Sequence, residues 1–190
     1  EQLADKGNGN YAYIDNFTEA RRVLVGQMAG TLFTIAKDVK IQIEFNPGLV
    51  QSYRLIGYEN RLLSKEDFNN DRKDAGELGS GHSVTALYEL VPPGVDTGKP
   101  RSDSLKYQVS SLTKSAMASH ELMTVKLRYK PPSDTTSLLL MRTVQDSSLH
   151  ADRASTDFRF VSAVAEFAML LRDCPFKGNA SFDALIGRAK

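Results

Sequence analysis

The sequence predicts an α+β, mainly β fold: an antiparallel β-sandwich with an N-terminal helix and C-terminal helices. Three observations predict it. Apolar and polar residues alternate with a period of two, most clearly where Val39, Ile41, Ile43 and Phe45 interleave with Lys40, Gln42 and Glu44. Segments of this kind are short and end in turn residues, as at Asn46-Pro47-Gly48 and Pro92-Pro93-Gly94. Helical periodicity is confined to the two ends of the chain, at residues 17–36 and 157–172.

Composition bounds the function. At 190 residues the chain suffices for one sizeable domain and part of a second; a compact chain of this length buries roughly 70% of its extended surface. Apolar content of 41% and charged content of 25% are ordinary for a globular protein. The net charge is +1, from 24 basic and 23 acidic residues, so no long-range field draws in nucleic acid or an anionic membrane. No apolar run reaches the ~18 residues that cross a bilayer, so no transmembrane segment is expected in this chain. Glu1-Gln2-Leu3-Ala4-Asp5-Lys6 lacks the basic-then-apolar order of a signal peptide, and the start reads as that of a fragment. The single cysteine, Cys174, excludes an internal disulfide framework. Its expected place is half-buried near a helix end, where Asp173 opposes thiolate formation.

Taken in order, residues 11–14 (YAYI) read as a buried strand entered through a Gly/Asn-rich turn. Asp15-Asn16 caps a helix with Glu19 in its first turn. Phe17, Val23, Leu24, Met28, Leu32, Ile35 and Ala36 carry its period. Gly26 and Gly30 weaken it by up to ~1 kcal/mol each and would permit close packing on a sheet. From Asp38 a strand with one buried and one wet face runs to the turn at 46–48, and residues 50–58 return as its hairpin partner. Residues 59–81 form a long polar connection, expected to wrap the sheet edge. Further strands read at 84–91, 105–110, 121–129 and 137–144, with a linker at 95–104 and a mobile polar loop at 111–120. Met123, Val125, Leu127 and Tyr129 mark an inner strand face. Ser155 or Thr156 caps an amphipathic helix over 157–172, and a short helix follows at 181–189.

The runs LADKGNGNYAYID, DVKIQIEFNP, YRLIGYENR, DAGELGSGHSVTALYEL, LRYKPP and DFRFVSAVAEFAMLLRD resemble the C-terminal half of a bacterial family. In that family a von Willebrand factor type A domain precedes a C-terminal domain of unknown function. The resemblance covers nearly the whole chain and rests on several motifs in order. It implies that residues 1–37 are the terminal strand and helix of a type A-like domain, and residues 38–190 a sandwich domain with a helical end. It also implies export to the cell envelope, periplasmic or surface-exposed, as a lipoprotein anchored through an N-terminal segment outside this sequence, and no enzyme activity. Such type A domains hold Mg²⁺ through an Asp-x-Ser-x-Ser motif, because hard oxygen ligands with waters to spare suit that ion. Neither Asp103-Ser104-Leu105 nor Asp134-Thr135-Thr136-Ser137-Leu138 completes it. Mg²⁺ is therefore expected only upstream, and this chain is expected to hold no cofactor, metal-binding or catalytic residues.

Other motifs are weak. Asp67-Phe68-Asn69-Asn70-Asp71 opens like a calcium loop, but Arg72 stands at the position of the turn glycine and Leu78 at that of the bidentate glutamate. A solvated charged loop is the better reading. His120-Glu121 starts like a zinc-protease helix, yet Thr124 stands where the second histidine belongs. Gly7-x-Gly9-x-x-Ala12 precedes a strand instead of following one, so it is no dinucleotide turn. His82, His120 and His150 read as surface or turn residues, with Ser83, Asp146 and Asp152 merely nearby. The seven tyrosines read as core and sheet-edge filling; a row of exposed ones would favour sugar binding.

Three function classes follow. The first is a noncatalytic interaction and structural module, binding an unidentified protein and the upstream type A domain. In it, a helix-to-strand junction at Ile35-Ala36-Lys37-Asp38 would pass a helix displacement to the sandwich. The second is a carbohydrate-binding sandwich and the third a hydrolase. Arg54 and Arg61 are expected to pair with acids such as Glu44 and Glu59.

Overall fold

The computed structural model describes residues 11–26, 30, 33–58, 62–96, 98, 106–107, 111–147 and 153–189. Helix α1 (Phe17–Arg21) continues as a π-helical turn over Arg22–Gly26. Strands β1 (Thr34–Phe45) and β2 (Ser52–Ile56) follow, then a 3-10 turn (Glu66–Asn69) and strands β3 (Gly76–Gly79) and β4 (Leu87–Val91). Helix α2 (Lys114–Ala118), strands β5 (Glu121–Lys130) and β6 (Leu138–Gln145), and helices α3 (Thr156–Leu171) and α4 (Phe182–Ala189) complete the order. The result is α+β: a four-stranded sheet in the order β3-β1-β5-β6 and a two-stranded sheet of β2 and β4. Two compact units are formed, one from Glu1–Ile43, Leu63–Val84 and Val125–Arg142, the other from Glu44–Leu62, Thr85–Thr124 and Thr143–Lys190.

In the first unit β1 pairs antiparallel with β3 through Thr34↔Gly79, Ala36↔Leu78 and Val39↔Gly76. Two residues, Lys37 and Asp38, lie between the last two pairs on β1 against one, Glu77, on β3. That count is a β-bulge, and Asp38 absorbs it with a φ of 50°, a left-handed conformation that aspartate tolerates better than most residues. β5 is antiparallel to β1, since Lys130 meets Asp38 at one end and the Asn46 N–H donates to the Leu122 carbonyl at the other. Gly79 packs so closely on Gly30 that a Cβ there would fall 1.6 Å from the Gly30 carbonyl oxygen. This is the close approach anticipated for Gly30; Gly26 faces open space.

The second unit holds the β2–β4 ladder, paired from Ser52↔Val91 to Ile56↔Leu87. Asn46 organises the turn that precedes it: its carbonyl accepts the N–H of Leu49 and Val50, and its side-chain oxygen accepts the N–H of Gly48. The Asn46 amide then donates to the carbonyls of Ala116 and Glu121, which ties the turn to α2 and β5. Helix α3 begins at Ser155, whose hydroxyl accepts the Phe158 N–H. Cys174 is half-buried just past the end of α3, as anticipated.

Several expectations are corrected. Residues 11–14 form no strand, and Tyr11, Tyr13 and Ile14 are exposed, because no ladder receives them among the described residues. The N-terminal helix does not reach Ala36. β1 starts at Thr34, and Thr34, Ile35, Ala36 and Lys37 are strand residues. The helix-to-strand junction that motivated a mechanical linkage is therefore not at residues 35–38. β2 does not form a hairpin with β1; its partner is β4. β1 inverts the expected faces at its middle, where Lys40 is buried and Ile41 exposed, while Glu44 is exposed and Phe45 half-buried as expected. The segment at 111–120 contains a helix capped by Thr113, whose hydroxyl oxygen accepts the Ala116 N–H. The expected strand at 105–110 and much of the linker at 95–104 lie outside the described residues.

Candidate functional site

Two surfaces and one internal cluster concentrate the chemistry. The cluster pins the loop 66–75 onto β1 and β5. Phe68 is buried beneath the loop, and the Arg128 guanidinium lies 5.6 Å from its ring centroid. Lys40, 4% exposed, donates from Nζ to the Asn70 carbonyl at 2.5 Å. Lys130 Nζ donates to Asp38 Oδ2 at 2.6 Å and to the Asp71 carbonyl at 2.7 Å. Asp38 Oδ1 accepts the Ala75 N–H at 3.1 Å. Asp71 accepts the Ser137 hydroxyl and backbone N–H.

The electrostatics follow from this geometry. Burial pushes the Asp38 carboxyl up, but the hydrogen bonds from Lys130 and Ala75 outweigh it and hold the group below its ordinary range. The hydrogen bond to Asp38 raises Lys130. The Ser137 hydroxyl lowers Asp71. The loop is thus no freely solvated charged segment. Its would-be calcium oxygens are engaged by protein donors: Asn69 Oδ1 accepts Arg128, Asp71 accepts Ser137, and Asp67 lies 3.7 Å from Lys73 Nζ. Among the described residues, no group of three or more His, Cys, Asp or Glu is placed to hold a metal ion.

The first surface is the outer edge of the four-stranded sheet. β6 reads LLLMRTVQ and every residue of it is exposed; Leu138, Leu139, Leu140 and Met141 are 44% to 57% accessible. Edge strands expose unpaired N–H and C=O groups, and proteins guard them with short length, charge, proline or irregularity. The opposite edge is guarded: β3 has four residues, begins and ends in glycine, carries Glu77 and pairs in a shifted register. β6 has no such guard along its first four residues.

The second surface belongs to the other unit. The rings of Phe45, Tyr53 and Tyr88 cluster at centroid distances of 4.6, 5.4 and 6.4 Å. Tyr53 is 60% exposed; burial, then the neighbouring Tyr53, raises the Tyr88 hydroxyl above its ordinary range. Beside it Arg54 pairs across the ladder with Glu89 at 2.9 Å and lies 4.4 Å over the Phe176 ring. Arg54's partner on the ladder is Glu89, where Glu44 was expected; Arg61 lies outside the described residues. Tyr11, Tyr13, Tyr53, Tyr58 and Tyr107 are exposed, which corrects the reading of the tyrosines as core filling. His82 and His120 are exposed surface residues, as expected; His150 lies outside the described residues.

The aromatic trio was missed by sequence reasoning. Phe45 and Tyr53 stand eight residues apart across a turn, a usable signal, but Tyr88 enters through a ladder that alternation alone does not pair. The pinned loop was missed because a buried lysine carries no sequence signature.

An α+β fold with an unguarded apolar edge defines the class: a domain with surface to cover. The model of the family described as "Uncharacterized protein YfbK, C-terminal" matches residues 30–190, and the chain belongs to that family. It is 41% identical over 184 residues to the "Uncharacterized protein YfbK" of Escherichia coli (strain K12). That match covers 97% of this chain and 31% of the relative, so the chain spans about a third of that protein's length. No solved structure matches. Among the described residues, no helix is long and apolar enough to cross a membrane.

Proposed function

We propose that this chain is a noncatalytic interaction and structural module of an exported protein that carries a von Willebrand factor type A domain. The observation that carries the reading is β6: four consecutive exposed apolar residues on an unguarded sheet edge. Such an edge accepts an added strand through main-chain hydrogen bonds, with side-chain pockets supplying selectivity. The partner is a protein. In the same reading residues 1–37 complete a type A-like domain and residues 38–190 form a sandwich-like domain, a division that leaves Thr34–Lys37 of β1 on the N-terminal side. Mg²⁺ belongs to the upstream domain, and the parent protein sits at the cell envelope through a lipid anchor.

The test is capture from cell-envelope extract, with and without Mg²⁺, by the chain and by its Leu139→Lys/Met141→Lys variant. A partner held by the chain and lost by the variant supports the reading. Equal capture by both removes β6 from it, and hydrolysis of a substrate library would replace it. A second reading, carbohydrate binding, is favoured by the clustered Phe45, Tyr53 and Tyr88 rings. Glycan-array binding that disappears in Tyr53→Ala would establish it.

A further inference from the structure

Helix α3 has two apolar faces. Ala165 and Met169 are half-buried on its inner side, with Val161 and Leu170 half-buried at the flanks. Phe160, Val164, Phe167 and Leu171 recur at intervals of four, three and four residues, which at about 100° per residue confines them to an arc of about 60°. All four are exposed, by 45% to 69%. The polar side of α3, with Arg159, Ser162 and Glu166, lies elsewhere on the helix, so the exposed stripe is an apolar face without cover among the described residues. The stripe continues onto α4, where Phe182 packs edge-on at 6.2 Å from Phe167 and both Phe182 and Ile186 are exposed.

We propose that this face docks against the same face of a second copy of the chain, with the two α3 helices antiparallel about a twofold axis between Val164 and Phe167. The four-three-four spacing reads the same in both directions. Phe160 then meets Leu171 of the second copy and Val164 meets its Phe167, so the surface is self-complementary and the contact closes at two copies. Charge selects the orientation. Asp157, exposed on the stripe side in the first turn, stands at one end, and Arg172 at the other. Antiparallel docking sets each acid near the basic end of the other helix and aligns the helix dipoles favourably; parallel docking sets Asp157 against Asp157 and Arg172 against Arg172. Apart from Asp157, the stripe is flanked by Ala163 and Ala168, which carry no charge. The proposal is independent of whatever pairs with β6.

Sedimentation velocity of the 190-residue chain from 1 to 100 µM, on the order of ordinary dimer affinities, is expected to show a dimer. Val164→Glu is expected to weaken it at least tenfold while leaving the circular dichroism spectrum unchanged, since the side chain is exposed in the single chain. Cross-linking reads the orientation without depending on that variant. Asp157→Cys is expected to form an intermolecular disulfide with Cys174 of the second copy, and the same substitution with Cys174→Ser to form none. In the antiparallel pair the two native Cys174 positions lie about 25 Å apart along the axis, so the unmodified chain should not self-cross-link. A chain monomeric at 100 µM overturns the proposal, as does a dimer untouched by Val164→Glu, or cross-linking of Cys174 to Cys174. A Val164→Cys thiol shielded from maleimide only within a longer polypeptide would assign the face to an intramolecular cover, and likewise overturn it.

Discussion

The loop at 66–75 and the helix pair α3–α4 solve opposite problems. The loop is polar and charged, yet its oxygens are matched one by one to Lys40, Lys130, Arg128 and Ser137, and Phe68 anchors it from below. The helix pair is rich in apolar residues, yet Phe160, Val164, Phe167, Leu171, Phe182 and Ile186 are exposed, and Leu185 is its one buried side chain among the described residues. Hydrophilic sequence is thus no guide to what is exposed here. A segment is held when its groups find partners within the chain, and it remains available when they do not.

The sharpest way to break this contrast is Phe68→Ala. Removing the loop's buried anchor is expected to cost ~3–5 kcal/mol of unfolding free energy, as other buried Phe truncations do, read by urea denaturation. An effect below ~1 kcal/mol would mean that the polar contacts alone hold the loop.

Acid should loosen the same loop next. Asp38 and Asp71 have folded pKa values held below the ordinary 3.8, so their contribution is complete above that value and is lost as pH falls through the lower folded values. Lys130 has the opposite sign: its contribution is complete below its ordinary 10.5 and is lost only as pH rises through the raised folded value. The protection of the Ala75 amide from hydrogen exchange, relative to a free amide at the same pH, is expected to be high between these limits and to fall below about pH 4. Protection that persisted at pH 2 would detach the loop from the carboxylates.

Smaller effects probe the helix pair and the exposed strand β6. Ser155→Ala removes the cap of α3 and is expected to cost ~1 kcal/mol, seen as a lower Tm. Leu140→Lys on β6 is expected to change stability by no more than ~0.5 kcal/mol while reducing aggregation in light scattering. A large loss of stability in Leu140→Lys would show that β6 is covered within the chain.

Much of the architecture was legible in the sequence, for reasons visible at particular residues. β5 and β6 were found within one residue because alternation and the Pro131 turn bound them, and α3 because a capping serine precedes an apolar period. The faces of β1 were misassigned at Lys40 and Ile41 because Lys40 becomes an inside residue only when the Asn70 carbonyl arrives from 30 residues away to satisfy its ammonium. The N-terminal helix was drawn too long because Ile35 and Ala36 fit a helical period and a strand period equally well. Pairing was the least readable level: β2 follows β1 across a tight turn yet pairs with β4, a choice made by tertiary packing. The apolar edge at β6 was visible as letters, but not as an edge.

The asymmetry of the four-stranded sheet limits how assemblies can grow. With its β3 margin closed by glycines, a glutamate and an irregular ladder, lateral addition to the four-stranded sheet has, among the described residues, one open berth, at β6. Once that berth is filled, the outermost edge is that of the captured strand, so whether growth stops at one added strand is set by the partner's edge and not by this chain.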